Sequence, residues 1–313
     1  MKKASMIIHP EELSKKWIDR ISDAGIPTIG IHPVGGLHTE KTLSELVELC
    51  KTQKYRSLID YAKSRGLKIE YEIHSAGYLM PKELFDTHPD YFRMNENGER
   101  TNDYNFCVSN EEALSLFATR ARELAESLYS SSHDFYFWMD DGHALQCHCP
   151  KCKNISTSDQ QLIALNAMLS EIKKAFFDAR MAYLAYMDSI VVPKKVKPIE
   201  GIFLEYAPFE KYTAKGEDAP LLIEREKQMV KPLMDFFGGE YKVLEYWYDN
   251  SLYSNWTKPP AKFEVNKEKM KSEIEEYKKM GFSNIATFAC YLGEDYEELH
   301  GDVDIIPFCE AVK

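Results

Sequence analysis

Phe135-Tyr136-Phe137-Trp138-Met139-Asp140-Asp141-Gly142-His143, with Cys147-His148-Cys149-Pro150-Lys151-Cys152 close behind it, is the stretch that decides the fold. An apolar, aromatic run that stops abruptly in carboxylates is the pattern of a buried strand delivering side chains to a site at its C-terminal end. The clustered cysteines mark the following loop as one held in shape.

Outward from this run, strand-like segments alternate with helical patterns along the whole chain. Strands are expected at 4–9, 28–32, 67–74, 135–139, 181–187, 201–206, 242–248 and 285–292. The first helix starts at Pro10, carries Leu13, Trp17, Ile21 and Ala24 on one face, and stops at Gly25. Helical patterns over 43–65 end at Gly66, and Ser109-x-x-Glu112 and Ser158-x-x-Gln161 read as capping boxes for two further helices. A helix over 221–237 stops at Gly238-Gly239, and Asn266 and Gly281 bound another. Segment 75–106 is a long connection whose Tyr78, Phe85, Tyr91 and Phe92 favour an ordered lid.

Eight strands, nearly all followed by a helix, predict an α/β fold, a (β/α)8 TIM barrel with long βα loops, over residues 1–313 as one domain. The competing fold, an open doubly wound sheet, announces itself with a Gly-rich turn after the first strand. Here that turn is His9-Pro10-Glu11.

A hydrophobic share of 44% is ample for a large core, and a net charge of -11 argues against nucleic acid or an anionic membrane as partner. The opening Met1-Lys2-Lys3-Ala4-Ser5 leads only into Met6-Ile7-Ile8, too short for the apolar region of a signal peptide, and no run approaches the roughly 18 apolar residues of a membrane span. The expectation is a cytoplasmic protein whose seven cysteines are thiols or metal ligands.

In such barrels the βα loops build the site where the strands end. Those ends supply His9, His32, Glu70, Glu72, His74, Asp140, Asp141, Tyr186, Asp188, Glu205, Tyr206, Glu245, Trp247, Asp249 and Tyr291. Strand side chains alternate, so Glu70, Glu72 and His74 share a face, and the barrel interior is the less costly place for three polar groups. The same alternation sends one of Asp140 and Asp141 into the pocket and leaves the other to brace the loop.

The inventory is rich in carboxylates and rings and poor in fixed cations. Two carboxylates across a pocket can hydrolyse a glycoside, one protonating the leaving oxygen and the other acting as nucleophile or activating water. The catalytic candidates are Asp141, Asp140, Glu205 and Glu245, with Asp141 as the acid and Glu205 or Glu245 opposite. The substrate-binding candidates are His32, Glu72, His74, Tyr206, Trp247 and Asp249, with Tyr248, Tyr253 and Trp256 as further platforms for the apolar faces of sugars. Any single strand Trp or Tyr is more often core than platform.

Trp138-Met139-Asp140-Asp141-Gly142, Cys147-x-Cys149-x-x-Cys152 and the Asn105-Phe106-Cys107 segment together resemble a bacterial (β/α)8 domain family of uncharacterised function. That family is allied to glycoside hydrolases such as the hexosaminidases and α-glucuronidases; the motif is silent on the substrate, and the carboxylates and rings are what point to a carbohydrate. Hexosaminidase barrels end their fourth strand in Asp-Glu, the Glu being the general acid. Asp141 stands at that position here, with a side chain shorter by roughly one bond.

Cys147, Cys149 and Cys152 have close to structural zinc spacing, and Cys107, His143 or His148 is available as a fourth ligand. Loop thiols without metal are the alternative, and no organic cofactor is expected. Cys50, Cys290 and Cys309 read as buried thiols. Two rival functions stand beside the glycosidase: a divalent-metal-dependent hydrolase or isomerase using Glu72, His74, Glu205 and Asp249, and a barrel that binds carbohydrate without turnover.

Overall fold

Alternation along eight short strands sorts their side chains between a lumen and a surrounding helix layer. The computed structural model describes residues 3–313, without the side chain of Leu37; Met1 and Lys2 of the opening run lie outside the described residues. The strands are β1 (Lys3–Ile8), β2 (Thr28–Ile31), β3 (Lys68–His74), β4 (Asp134–Trp138), β5 (Arg180–Ala185), β6 (Ile202–Tyr206), β7 (Tyr241–Glu245) and β8 (Asn284–Phe288). Each pairs in parallel with the next, and β8 pairs with β1 to close the barrel. The α-helices are α1 (Lys15–Ala24), α2 (Thr39–Lys51), α3 (Gln53–Ser64), α4 (Ala76–Leu79), α5 (Glu111–Ser127), α6 (Thr157–Ile172), α7 (Glu210–Thr213), α8 (Ala219–Phe237), α9 (Asn250–Tyr253), α10 (Lys267–Met280), α11 (Glu294–His300) and α12 (Ile306–Val312). The fold is the TIM barrel that the strand pattern predicts. Among the described residues, no helix is long and apolar enough to cross a membrane.

Several boundaries differ from the sequence reading for local reasons. The first helix starts at Lys15 rather than Pro10, because the Ser14 hydroxyl accepts from the Trp17 N–H and Pro10–Glu12 forms its own 3-10 turn. The 43–65 pattern is two helices broken at Thr52. Asn110 and Ser156 cap α5 and α6 in place of Ser109 and Ser158; the Ser109 hydroxyl is turned 2.9 Å from the Cys152 sulfur. β5, β7 and β8 end two to four residues before their apolar runs do, at Ala185, Glu245 and Phe288. Trp247, Tyr248, Ala289 and Leu292 beyond them are buried loop residues, and burial alone reads as strand.

The lumen holds an ionic layer beneath an apolar one. Lys242 on β7 is Glu205's register partner on β6, and its Nζ lies 3.0 Å from Glu205 Oε1 and 2.7 Å from Glu72 Oε2 on β3. The same Nζ sits 3.7 Å from the centre of the Tyr136 ring. All three ionic side chains are at most 1% exposed. Burial works against the Lys242 charge, but Glu205, Glu72 and Glu70 outweigh it and hold the ammonium above its ordinary value. Burial pushes the Glu72 carboxyl well above the usual carboxylate range, with Lys242 opposing the rise. Gly30 on β2 gives Glu72 its place, since a Cβ there would lie 2.8 Å from Glu72 Oε1 and 2.7 Å from Ile7 Cγ1. Glu70, one pleat lower, is 3.3 Å from the Ser132 hydroxyl.

Removing the cation leaves two buried carboxylates uncompensated, which typically costs about 3–5 kcal/mol. Lys242→Met should therefore lower unfolding free energy in urea by that amount at neutral pH. The deficit should shrink as the pH falls and the raised Glu72 carboxyl becomes protonated. A loss below roughly 1 kcal/mol would mean that the cluster contributes no more than a solvent-exposed ion pair.

Candidate active site

A cavity of about 520 Å³ opens at the C-terminal ends of the strands, within the range of small-molecule sites. Its floor is Trp138, Leu184, Leu244 and Phe288, and His9, His32, His74, Asp141, Tyr186, Tyr246, Asp249, Trp256 and Tyr291 line its walls and rim. Met187, Trp256 and Tyr291 all line it with positive φ, at 47°, 53° and 61°. Backbone in that region is strained for large side chains and tends to occur at functional sites.

Three histidines form an arc across β1, β2 and β3. His9 Nδ1 lies 2.6 Å from the His32 carbonyl, His32 Nδ1 2.6 Å from the Glu72 carbonyl, and His74 Nδ1 2.6 Å from the Met139 carbonyl. A carbonyl only accepts, so each proton sits on Nδ1 and Nε2 is left for the cavity. The ring centres are 6.1 Å apart from His9 to His32 and 5.9 Å apart from His32 to His74. Burial, then the neighbouring His74 and His9 rings, hold His32 well below the ordinary imidazole value and keep it neutral.

The two aspartates at the end of β4 part company as alternation requires. Asp141 lines the cavity, with the Tyr186 hydroxyl donating to it. Asp140 turns away: its carboxylate accepts from the Asn105 N–H at 2.6 Å, and its own N–H donates to Asn105 Oδ1 at 3.0 Å. It therefore clasps the long β3–α5 connection to the end of β4. Burial pushes its carboxyl upward, with the Asn105 N–H pulling it back.

Several expectations need correction. Glu245, Tyr206 and Trp247 face the helix layer, not the cavity. Glu245 is buried against Lys211 and accepts from the Tyr212 hydroxyl at 2.8 Å and the Tyr277 hydroxyl at 2.5 Å. Trp247 Nε1 donates to Glu273 on α10 at 2.6 Å, and Tyr206 is packed 6.1 Å from the Phe282 ring. Glu205 does point into the lumen, but it lies under the floor, where it accepts from Trp138 Nε1 at 2.8 Å. Glu72 lies in the same layer. With Lys242 between them, Glu72 and Glu205 enclose an ammonium and not a cage for a divalent ion. Tyr248 is core, and of the proposed platforms Trp256 alone lines the cavity.

The second carboxylate lining the cavity is Asp249. Its Oδ1 accepts from the Ser251 hydroxyl at 2.5 Å, the Ser251 N–H at 3.1 Å and the Leu252 N–H at 3.4 Å, and its Oδ2 has no hydrogen bond among the described residues. Burial pushes Asp249 above the usual aspartate value, while the Ser251 hydroxyl and His9 pull it back. Tyr246, absent from the sequence candidates, feels both Asp141 and Asp249. Lys242 was its signal: a strand lysine two pleats below belongs with the lumen acids, which puts Leu244 and Tyr246 on the inner face and Glu245 on the outer.

Cys107, Cys147, Cys149 and Cys152 converge, every sulfur within 4.8 Å of the others. Cys107 Sγ lies 3.7 Å from Cys149 Sγ and 3.9 Å from Cys152 Sγ. A tetrahedral site with Zn–S bonds of about 2.3 Å has sulfur–sulfur edges of about 3.8 Å, so the donor set fits that metal. His143 is taken by Asp188 at 2.9 Å and His148 faces Glu96 at 3.7 Å, which leaves Cys107 as the fourth donor. Hydrogen bonds from the Cys147 and Cys152 thiols draw Cys107 well below the thiol range, and the bond to Cys107 pushes Cys147 up to about 11.

Solved structures similar to this chain are glycoside hydrolases. One described simply as a glycoside hydrolase aligns with TM-score 0.52 and 13% identity, over 92% of this chain and 88% of that one. The endo-glycoceramidase II from Rhodococcus sp. gives 0.53 and 9%, over 92% and 73%. The cold-adapted β-galactosidase from Rahnella sp. R3 gives 0.56 and 10%, over 99% of this chain and 55% of that one. At such identities the likeness establishes the barrel. No curated protein matches the chain. Residues 38–287 match the model described as a domain of unknown function, DUF4838, and the chain belongs to that family.

Proposed function

We propose that the protein is a glycoside hydrolase that binds a sugar in the strand-end cavity, with Asp141 as general acid and Asp249 as the opposing carboxylate. One observation carries this reading. His9, His32, His74, Tyr246 and Asp249 are only 5–8% exposed, yet each keeps a polar atom without a partner among the described residues and open to one cavity. Buried polar groups are ordinarily satisfied, and a polyhydroxylated ring laid on Trp138 and Phe288 satisfies all five. Asp249, with three donors fixing Oδ1, presents Oδ2 to the anomeric carbon or to a water beside it. Asp141, nearer the mouth, gives its proton to the departing oxygen. Similarity to barrels that cleave glycosides agrees with this assignment.

Zinc at the four cysteines is the second part of the proposal. The metal takes no part in bond cleavage. It joins Cys107, at the end of the β3–α5 connection, to the β4–α6 loop, and so fixes the backbone from which Asp141 projects.

Asp141→Asn should lower turnover about 10²–10⁴-fold on glycosides with poor leaving groups and far less on activated aryl glycosides. Asp249→Asn should slow both alike. Equal losses in Asp141→Asn would remove it from the acid role. Because Asp249 is raised, the acid limb of kcat/KM should lie above the ordinary aspartate range. Ser251→Ala removes a donor to the carboxylate and should move that limb to still higher pH. An unmoved limb would assign it to another group.

Metal analysis of protein purified without a histidine tag should find about one zinc per chain. Cys107→Ser should lose both the metal and several degrees of Tm. A zinc content near zero in protein never exposed to chelator would make these plain thiols.

A further inference from the structure

The hydrogen-bonding sense of the cavity is one-sided. With their protons committed to backbone carbonyls, the neutral forms of His9, His32 and His74 offer Nε2 as an acceptor. Asp141 and Asp249 add carboxylate oxygens. The donors nearby are already engaged, Tyr186 by Asp141 and the Ser251 hydroxyl by Asp249. The Tyr246 hydroxyl, 7% exposed, and the Trp256 indole N–H make no hydrogen bond among the described residues. No lysine or arginine is among the described lining residues. The cation near the rim, Lys258, lies 4.9 Å over the Tyr291 ring and pairs with Asp295 at 2.7 Å.

A wall rich in acceptors and without a fixed cation disfavours groups that only accept. The carboxylate of an acidic sugar, or a sulfate or phosphate ester, meets two aspartates and only neutral donors, the Tyr246 hydroxyl and the Trp256 indole. An ammonium is the reverse case, since it has three donors and no acceptor. It also gains from aromatic faces, and Trp138, Phe288, Tyr291 and Trp256 supply four of them. Resting on the glycosidase reading, we infer that the sugar ring held in this cavity carries a free amino group on the carbon next to the anomeric one, so that Asp249 Oδ2 faces the ammonium and the anomeric carbon together, and that acidic sugars are disfavoured. A charge-assisted hydrogen bond in a desolvated site is about twice as strong as a neutral one, which corresponds to roughly tenfold in affinity over the parent hydroxyl.

The test is calorimetric titration of the full chain at neutral pH with matched sets of free monosaccharides. Each set, in the gluco, galacto and manno series, contains the amino sugar, its N-acetyl form, the neutral sugar and the uronate. In the series that binds, the amino sugar should bind about tenfold tighter than the neutral sugar, with no measurable binding of the uronate. N-acetylation, which removes the charge, should abolish the advantage. Asp249→Asn, which keeps a good helix cap, should bring the amino and neutral sugars to similar affinity. A neutral sugar or uronate binding as tightly as its amino partner overturns the inference and leaves the glycosidase reading standing. An advantage that survives acetylation overturns it in the same way. Absence of binding by every sugar overturns both.

Discussion

The ammonium of Lys242 is the charge on which the site above it depends. It holds Glu72 and Glu205 together in a lumen where either carboxylate alone would be costly. Glu205 in turn accepts from Trp138 Nε1, so the indole that floors the cavity is oriented from below by an ion cluster and from the side by His32 and His74, 5.6 Å and 5.2 Å from its centre. Of the carboxylates that look catalytic in the sequence, Glu205 thus does its work one layer down, together with Glu72. They give the floor a fixed orientation, and Asp141 and Asp249 line the cavity above them.

The barrel was legible because its signal is repetitive: eight strand-like runs, nearly all followed by a helical pattern, with Gly stops at Gly25, Gly66, Gly238 and Gly281. The site was legible by depth along each strand and not by facing. Glu205, Tyr206, Glu245 and Trp247 lie near strand ends as read, but Tyr206, Glu245 and Trp247 sit on the helix side of the pleat. A shift of one residue exchanges the two faces, and an apolar run with loop residues appended hides the phase. Where polar residues repeat with period two, as in Glu70, Glu72 and His74, the phase could be read and the lumen side followed. On β7 only Lys242 carried that information. Asp249 was found from sequence as a binding residue, while its place in the cavity depends on α9 and the turn before it, which no periodicity encodes.

Two long βα connections are joined at several points: by Asp140 and Asn105, by Arg93 reaching the Ala144 carbonyl at 3.0 Å, and by the convergence of Cys107 with the three loop cysteines. These bonds make the β3 and β4 loops one unit. Asp141 is carried by that unit, whereas Asp249 is carried by α9 on the other side of the barrel mouth. The distance between the two carboxylates is therefore set by how the two halves of the rim are held relative to each other.

The bonds from His9 to the His32 carbonyl, from His32 to the Glu72 carbonyl and from His74 to the Met139 carbonyl run from strand to strand in one direction around the rim. They continue the barrel's own ladder one rung beyond the last backbone pair, in side chains. The β1–β4 half of the mouth is for this reason braced from strand to strand beyond the sheet, and replacing one imidazole removes the partner of the carbonyl that seats it. Among the described residues an amide takes the same part on the far side: Asn250 Nδ2 donates to the Tyr291 carbonyl at 3.2 Å and joins the loops after β7 and β8. The ends of β5 and β6 lie between these two braces.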